Sequence, residues 1–222
     1  MLRSTLQKII RHLAMRYGKF RGLYIQFCNP GCKEYTEFLR RHGNLYVLGE
    51  NCSIWPNTVF GDLAYIRIGN NVHFSSCTVL GHDGSVAMLN RAYNVKLDAV
   101  GKIDIRDNVF IGGLNALVLR NVTIGPNAIV AAGAVVTRDV AEADLVAGVP
   151  ARPIGRVEDL VKKLQAETQS LPWAELINNR EGSFDPEIEP ELVKLRVSHF
   201  YGNTPTSTAA RSAAWPQQTF NQ

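Results

Sequence analysis

A histidine and an aspartate stand side by side in the stretch "VLGHDGS", residues 79–85, directly after a run of apolar residues. An imidazole can accept and return a proton near neutral pH, which makes His82 a candidate general base of an enzyme. Asp83 precedes a glycine, and Asp-Gly is a common turn dipeptide. The pair could therefore either form a turn or contribute a reactive group, and the surrounding sequence distinguishes the two interpretations.

Large apolar residues return about every six positions through the middle of the chain, each followed four residues later by a small or β-branched residue. The large residues are Leu48, Ile54, Phe60, Ile68, Phe74, Leu80, Ile105, Ile111, Val118, Ile124, Val130 and Val136. Two extra residues precede Ile68, and one extra residue is expected in "GGL" at 112–114. Neither a helical period nor a long alternating strand fits this spacing. One short strand and a turn per unit, with three units in each triangular coil, predicts a β-solenoid.

The repeat is interrupted after Leu80, which the spacing predicts as the last interior residue of its coil, and it resumes at Ile105. An extended loop over 82–104 therefore leaves the wall of the solenoid. Binding and catalytic residues are often placed on long loops that a rigid scaffold holds. The interruption favours a functional interpretation of His82.

Composition excludes several classes of protein. The chain has 222 residues and a formal net charge of +4, an excess too diffuse to indicate a nucleic-acid partner. Its longest apolar run, residues 128–136, is too short to span a membrane. Four cysteines without a secretory leader or a paired metal-ligand spacing predict reduced thiols, no metal, and a cytoplasmic protein.

The stretch "IRDNVFIGGLNALVLRNVTIGPNAIVAAGAVVTRDVAEADLVAGVPARPIG", residues 105–155, resembles the signature of the hexapeptide-repeat acyltransferases. It is most similar to the branch of galactoside, maltose and streptogramin acetyltransferases and of capsule or O-antigen O-acetyltransferases. The resemblance implies a mainly β protein built on a left-handed parallel β-helix. We expect an N-terminal helical or extended cap at 1–47, the catalytic β-helix at 48–155, and a C-terminal helix and extended tail at 156–222.

The same resemblance implies transfer of an acetyl group from acetyl-CoA to a sugar hydroxyl of a bacterial surface polysaccharide or its precursor. A histidine at such an interruption is the general base in these enzymes, which identifies His82. Asp83 either contacts the acceptor or caps the turn, and both interpretations stay open. Asn57 is the nearest match to an asparagine that touches the acceptor in some relatives.

A coenzyme site is implied at the other end of the repeat. Gly113 matches the position whose backbone amide stabilises the oxyanion, and Ala132 matches a backbone contact to the pantetheine arm. Thr137 and Arg138 correspond to positions near the nucleotide. Arg152 corresponds to a basic position that approaches the phosphates. The relatives are homotrimers with active sites between subunits, so we expect His82 of one chain to face the Arg152 end of another.

The N-terminal segment 2–16 reads as a basic amphipathic helix with Leu2, Leu6, Ile9, Ile10 and Leu13 along one face. Such a helix can lie on an anionic membrane as a peripheral contact. It can also pack over the open end of the β-helix and protect its edge. Both interpretations stay open.

Alternatives to the O-acetyltransferase come from several classes. An N-acetyltransferase acting on an amino sugar or its nucleotide derivative is the main competitor, although residues 1–47 lack a glycine-rich phosphate loop. A γ-type carbonic anhydrase would require three histidines on zinc, and the spacing of His73, His82 and His199 disfavours it. A serine acetyltransferase is disfavoured, because the sequence lacks the large helical N-terminal domain of those enzymes. A scaffold without chemistry would bind no coenzyme.

Overall fold

A computed structural model describes residues 2–182 and 184–202 of the chain. Its middle is a parallel β-helix with three flat faces. Face A contains the strands Val47–Leu48 (β1), Ile66–Ile68 (β4), Ile103–Ile105 (β7) and Val122–Ile124 (β10). Face B contains Ser53–Ile54 (β2), His73–Phe74 (β5), Phe110–Ile111 (β8), Ile129–Val130 (β11), Asp144–Ala147 (β13) and Arg152–Arg156 (β14). Face C contains Val59–Gly61 (β3), Thr78–Leu80 (β6), Leu117–Val118 (β9) and Val135–Val136 (β12).

The chain passes from face A to face B to face C in each coil, and each strand pairs in parallel with the strand one coil away. Only β14 departs from this rule, because it folds back antiparallel on β13. Matching register stacks side chains of one coil on those of the next, as in Ile66 opposite Ile103 and Ile68 opposite Ile105. The predicted class, a mainly β protein built on a parallel β-helix, is confirmed.

The interior is filled by the predicted large residues and by a smaller buried residue two positions before most of them. Ile54, Phe74, Ile105, Ile111, Val118, Ile124 and Val130 are completely buried. Asparagine occupies several turns in the left-handed conformation, which it tolerates better than most residues. In one column Asn71 donates to Asn108, which donates to Asn127.

One interior assignment is wrong by a residue. Val79, not Leu80, is completely buried and lies between Phe60 and Val118 in the stack. Ser76 adopts a left-handed turn at φ 51°, which shortens the step from Phe74 to five residues. Leu80 instead lies opposite Gly61 and is partly exposed. The extra residue expected near "GGL" lies in the turn where Leu114 and Asn115 are both left-handed.

The N-terminal residues form a helical cap. It consists of the helices Leu2–Tyr17 and Arg21–Leu23, the π-helical turn Tyr24–Cys28 and the helix Cys32–His42. The last helix packs on β2, and its buried Thr36 accepts a hydrogen bond from the Ile54 backbone N–H at 2.9 Å. The cap therefore covers one end of the β-helix and shares its core.

Among the described residues, 158–182 and 184–202 form a second compact unit. Helices Val157–Gln169, Ala174–Asn178 and Glu189–Tyr201 are present, which confirms the predicted C-terminal helix. Leu192 and Trp173 are buried in this unit, and Trp173 contacts His199 edge to face. The predicted extended tail at 203–222 lies outside the described residues. None of the helices in 2–182 and 184–202 is long and apolar enough to span a membrane.

Thr36→Val tests how the cap protects the edge strand. The substitution keeps the shape of the side chain but leaves the buried Ile54 N–H without an acceptor, so the free energy of unfolding falls by about 1–3 kcal/mol. Thr36→Ser retains the hydroxyl and is the matched control. Denaturant unfolding of the two variants measures the difference. Equal stability of Thr36→Val and the parent protein would contradict this role of the hydroxyl.

Candidate functional site

His82 is hydrogen-bonded to a carboxylate from the preceding coil. Its Nδ1 contacts Oδ2 of Asp62 in a short hydrogen bond. An ionised carboxylate can only accept, so the Nδ1 hydrogen points at Asp62 and Nε2 is left as the basic nitrogen. The histidine side chain is 47% exposed and that of Asp62 is 26% exposed. The pair thus holds a half-exposed imidazole whose Nδ1 is engaged by the carboxylate.

Asp62 occupies this position because the first coil has an insertion after face C. It adopts the left-handed conformation at φ 60° and starts the 3-10 turn Leu63–Tyr65. The two-residue excess between Phe60 and Ile68 in the repeat falls within this turn. In the sequence, the excess is visible only as an irregular spacing. Asp62 was therefore not predicted as a site residue. The available signal was that this insertion falls at the same corner as the longer loop one coil later.

The loop that begins at His82 is anchored by a short antiparallel pairing of its two ends. The N–H of Gly101 donates to Gly81 O at 2.7 Å, and that of Asp83 donates to Ala99 O at 3.0 Å. Val100 forms a bridge with His82 itself. The sequence predicted an extended loop here. The structure differs, because beyond the paired ends the loop contains the helix Val86–Tyr93. No residue of that helix is buried, so the anchored base, not the helix, holds the imidazole.

Two glycines lie beside the pair, and one of them leaves room for it. A Cβ on Gly81 would lie 3.1 Å from Asp62 Cβ and 3.3 Å from both Asp62 Oδ2 and Gly101 O. Gly61 lies opposite Leu80, and a Cβ there would lie 3.8 Å from the His82 ring. The missing side chain at Gly81 leaves room for the Asp62 carboxylate, whereas a Cβ at Gly61 would make only an ordinary van der Waals contact with the imidazole.

Asp83 makes a local contact. Its Oδ1 accepts a hydrogen bond from the Ser85 backbone N–H at 2.9 Å, which closes the turn. Hydrogen bonding from the Ser85 side chain and then from its backbone N–H, with a smaller contribution from the positive charge of Arg120, holds the pKa of the Asp83 carboxyl below its ordinary value. This geometry favours the turn interpretation of Asp83. Arg120, which sequence reasoning did not single out, lies at the same corner one coil beyond His82.

The other predicted residues lie at two different corners of the β-helix. We call the turns from face C to face A corner CA, and those from face B to face C corner BC. Corner CA holds Asp62, His82, Arg120, Thr137 and Arg138. Corner BC holds Asn57, Gly113 and Ala132, with Arg152 beside its last turn. A face of two or three residues separates the corners, on the order of 10 Å. One chain therefore does not bring His82 together with Gly113 and Ala132.

Corner BC offers free backbone donors. Within the described part of the chain, the N–H groups of Gly113 and Ala132 have no hydrogen-bond acceptor. A Cβ on Gly113 would lie 2.5 Å from Ser75 O, so only glycine fits there. Arg152 is exposed and, among the described residues, donates only to Ala151 O, whereas Arg156 forms an ion pair with Asp144 at 2.6 Å. Arg152 is accordingly the more available cation of the two.

The cysteines have the properties of structural residues. Cys28, Cys52 and Cys77 are buried, and Cys32 is partly buried. Burial raises the pKa of all four thiols, and for Cys77 to about 12. A reactive cysteine requires a lowered pKa and access to solvent. Across residues 2–182 and 184–202, no group of three or more His, Cys, Asp and Glu side chains is arranged to hold a metal ion.

The chain is similar in sequence to proteins that are named as acetyltransferases. A Schizosaccharomyces pombe protein named for acetyltransferase activity is 38% identical over 108 residues, which cover 46% of this chain and 49% of that protein. A 2,3,4,5-tetrahydropyridine-2,6-dicarboxylate N-acetyltransferase of Staphylococcus aureus is 37% identical over 46% of this chain and 39% of that enzyme. The chain thus spans about half the length of the first relative and less of the second.

Among solved structures, a hexapeptide-repeat acetyltransferase from Vibrio cholerae is similar with a TM-score of 0.45 and 24% identity. The similarity covers 68% of this chain and 92% of that one. No protein-family model matches the chain.

Gly81→Ala tests whether the Asp62–His82 contact depends on the space beside it. The added Cβ meets a backbone carbonyl and a carboxylate that is already held, so the free energy of unfolding falls by about 1–3 kcal/mol. Gly84→Ala is the matched control, because a Cβ there meets nothing within 4 Å. Denaturant unfolding measures both variants. If Gly81→Ala is as stable as Gly84→Ala, the contact does not require the glycine.

Proposed function

We propose that the protein is an acetyl-CoA-dependent O-acetyltransferase that acts on a sugar hydroxyl of a bacterial surface polysaccharide or its precursor. The single observation that carries the proposal is the Asp62–His82 hydrogen bond, which engages Nδ1 of a half-exposed imidazole at the start of a long loop on a β-helix. The acetyltransferases among the relatives support the same class of reaction. A cytoplasmic location fits, because that is where acetyl-CoA is made.

In the proposed reaction His82 is the general base. Its Nε2 removes the proton of the acceptor hydroxyl while the oxygen attacks the thioester carbonyl. The resulting tetrahedral oxyanion collapses, the C–S bond breaks, and the proton passes from His82 to the departing thiolate. The products are the acetyl ester and free coenzyme A. No covalent enzyme intermediate is required, which agrees with four thiols whose pKa values are raised.

Asp62 acts as a positioning residue through His82. A carboxylate on Nδ1 selects the tautomer in which Nε2 is unprotonated, and it stabilises the imidazolium that forms during transfer. The residue does not contact the acceptor in this scheme. Its effect should appear in kcat more than in the KM for the coenzyme.

The coenzyme occupies corner BC in the proposal. The unpaired N–H groups of Gly113 and Ala132 suit the oxyanion and a pantetheine amide, since a buried or bound carbonyl oxygen requires donors. Arg152 supplies a cation for the phosphates. Arg138 and Thr137 lie at corner CA, so in the proposal they reach the nucleotide from the neighbouring chain. Asn57, at the same corner in the first coil, is available to the acceptor.

A homotrimer completes the site in the proposal. Corner CA holds the base and corner BC holds the free backbone donors, and within one chain a whole face lies between them. A neighbouring chain that sets its corner BC against corner CA would bring the thioester to Nε2 of His82. Site assembly from two chains gives a physical reason for oligomerisation.

An amino group is the second candidate acceptor. The Staphylococcus aureus relative is named as an N-acetyltransferase, and a general base removes a proton from an attacking amine in the same way. Comparing sugars that differ only in a hydroxyl or an amino group at one carbon distinguishes the two reactions.

Removing the base is expected to abolish turnover. A screen of nucleotide sugars and bacterial glycans, with release of the coenzyme thiol as the readout, first identifies the acceptor. His82→Ala then lowers kcat by roughly 10²–10⁴-fold, the typical contribution of a general base, with the Kd for the coenzyme unchanged. Asp62→Asn lowers kcat by about tenfold or more while the KM for acetyl-CoA stays within about twofold.

His73→Ala is the control for these variants, because His73 is also exposed but lies on face B, where its ring contacts Asn71 Oδ1. It should retain the parent kcat. Full turnover by His82→Ala would exclude His82 as the base. Failure of the parent protein to bind acetyl-CoA in calorimetry would overturn the proposed reaction as a whole.

A further inference from the structure

The helix Leu2–Tyr17 carries two apolar faces, and the cap covers only one of them. Ile10 and Ala14, four residues apart, are buried against the rest of the cap. Leu6 and Ile9 were expected on the same face as Ile10 but are 52% and 51% exposed. Tyr17 lies on the same outer side of the helix and is 53% exposed. We call Leu6, Ile9 and Tyr17 the outer stripe.

The stripe lies in the most basic part of the chain. Residues 1–33 contain seven Lys and Arg and no Asp or Glu, whereas residues 34–222 contain 17 Lys and Arg against 20 Asp and Glu. Among the described residues, Lys8, Arg16 and Lys19 have no carboxylate within ion-pair distance. An apolar stripe in a purely cationic segment matches a surface that is apolar inside and anionic outside.

A cationic pocket adjoins the stripe. It is an open cavity of about 410 Å³ lined by His12, Met15, Arg16, Arg41 and His42. Ile9, His12 and Arg16 follow at intervals of three and four residues, so they share one side of the helix. His42 donates its Nε2–H to Met15 O at 3.0 Å, which fixes its ring in the wall. One of the lining residues, Arg41, forms an ion pair with the carboxylate of Glu37 at 2.7 Å.

We propose that the N-terminal cap docks on a membrane containing anionic phospholipid. The outer stripe enters the boundary between headgroups and acyl chains, and a lipid phosphate binds in the pocket beside Arg16 and Arg41. Guanidinium groups suit this ligand because they form paired hydrogen bonds to phosphate oxygens. The interaction is peripheral and does not depend on acyl transfer. It would hold the proposed active site near acceptors built on membrane lipids.

Vesicle sedimentation tests the docking surface with the full chain. The parent protein binds vesicles of phosphatidylcholine and phosphatidylglycerol, binds pure phosphatidylcholine at least about tenfold more weakly, and is released by high salt. Leu6→Ser combined with Ile9→Ser weakens binding to the anionic vesicles by roughly tenfold or more. Arg16→Glu does the same, because a cation becomes an anion at the headgroups.

Matched controls come from the helix Val157–Gln169. Val161 and Leu164 have the same spacing as the stripe residues and are 47% and 49% exposed, so Val161→Ser combined with Leu164→Ser should leave binding unchanged. Lys162→Glu is the control for Arg16→Glu. Circular dichroism verifies that each variant is folded.

Three results would overturn the proposal. One is parent protein that ignores anionic vesicles, including the case in which inorganic phosphate alone binds in calorimetry. Another is equal loss of binding in the stripe variants and their controls. The third is a stripe variant that binds vesicles normally but loses its oligomeric state by light scattering, which would make the stripe a contact between subunits.

Discussion

Every coil of the β-helix must place its interior residue on the column formed by the coils before and after it. Phe60, Val79 and Val118 form one such column, and a shift by one residue would turn each side chain out of the core. Extra residues can therefore enter only at the corners. The positions of the proposed site residues follow from which corners accept insertions.

Corner CA accepts two insertions in successive coils. The short one places Asp62 in a left-handed turn, and the long one starts at His82. Because the two coils are in parallel register, the carboxylate and the imidazole meet, and Gly81 leaves space between them. A stable stack thus holds an exposed proton acceptor in a fixed orientation. The free backbone N–H groups also lie at a corner of the β-helix. At corner BC, glycine at 113 lets the chain pass close to Ser75 O.

Much of this architecture could be predicted from the sequence, because the six-residue spacing reflects the geometry of one strand and one turn. The spacing predicted most interior residues and the interruption after β6, at which His82 stands. The spacing placed Leu80 in the interior instead of Val79. The cause is the left-handed Ser76, which shortens one turn, and a serine in the sequence does not predict that conformation. Asp62 was missed because its partner is 20 positions away, and only the stacking of coils brings them together. The outer stripe on the first helix was likewise hidden, since periodicity alone does not show which of two adjacent apolar faces is buried.

The account depends most on the orientation of one imidazole. In it, Asp62 holds the hydrogen on Nδ1 of His82 and leaves Nε2 free to accept a proton from an acceptor hydroxyl. A neutron crystal structure at mildly alkaline pH measures this directly, because deuterium positions are visible. The account predicts deuterium on Nδ1, directed at the Asp62 carboxylate, and none on Nε2. Deuterium on Nε2 with a bare Nδ1, or an Asp62 carboxylate out of hydrogen-bond reach, would contradict it.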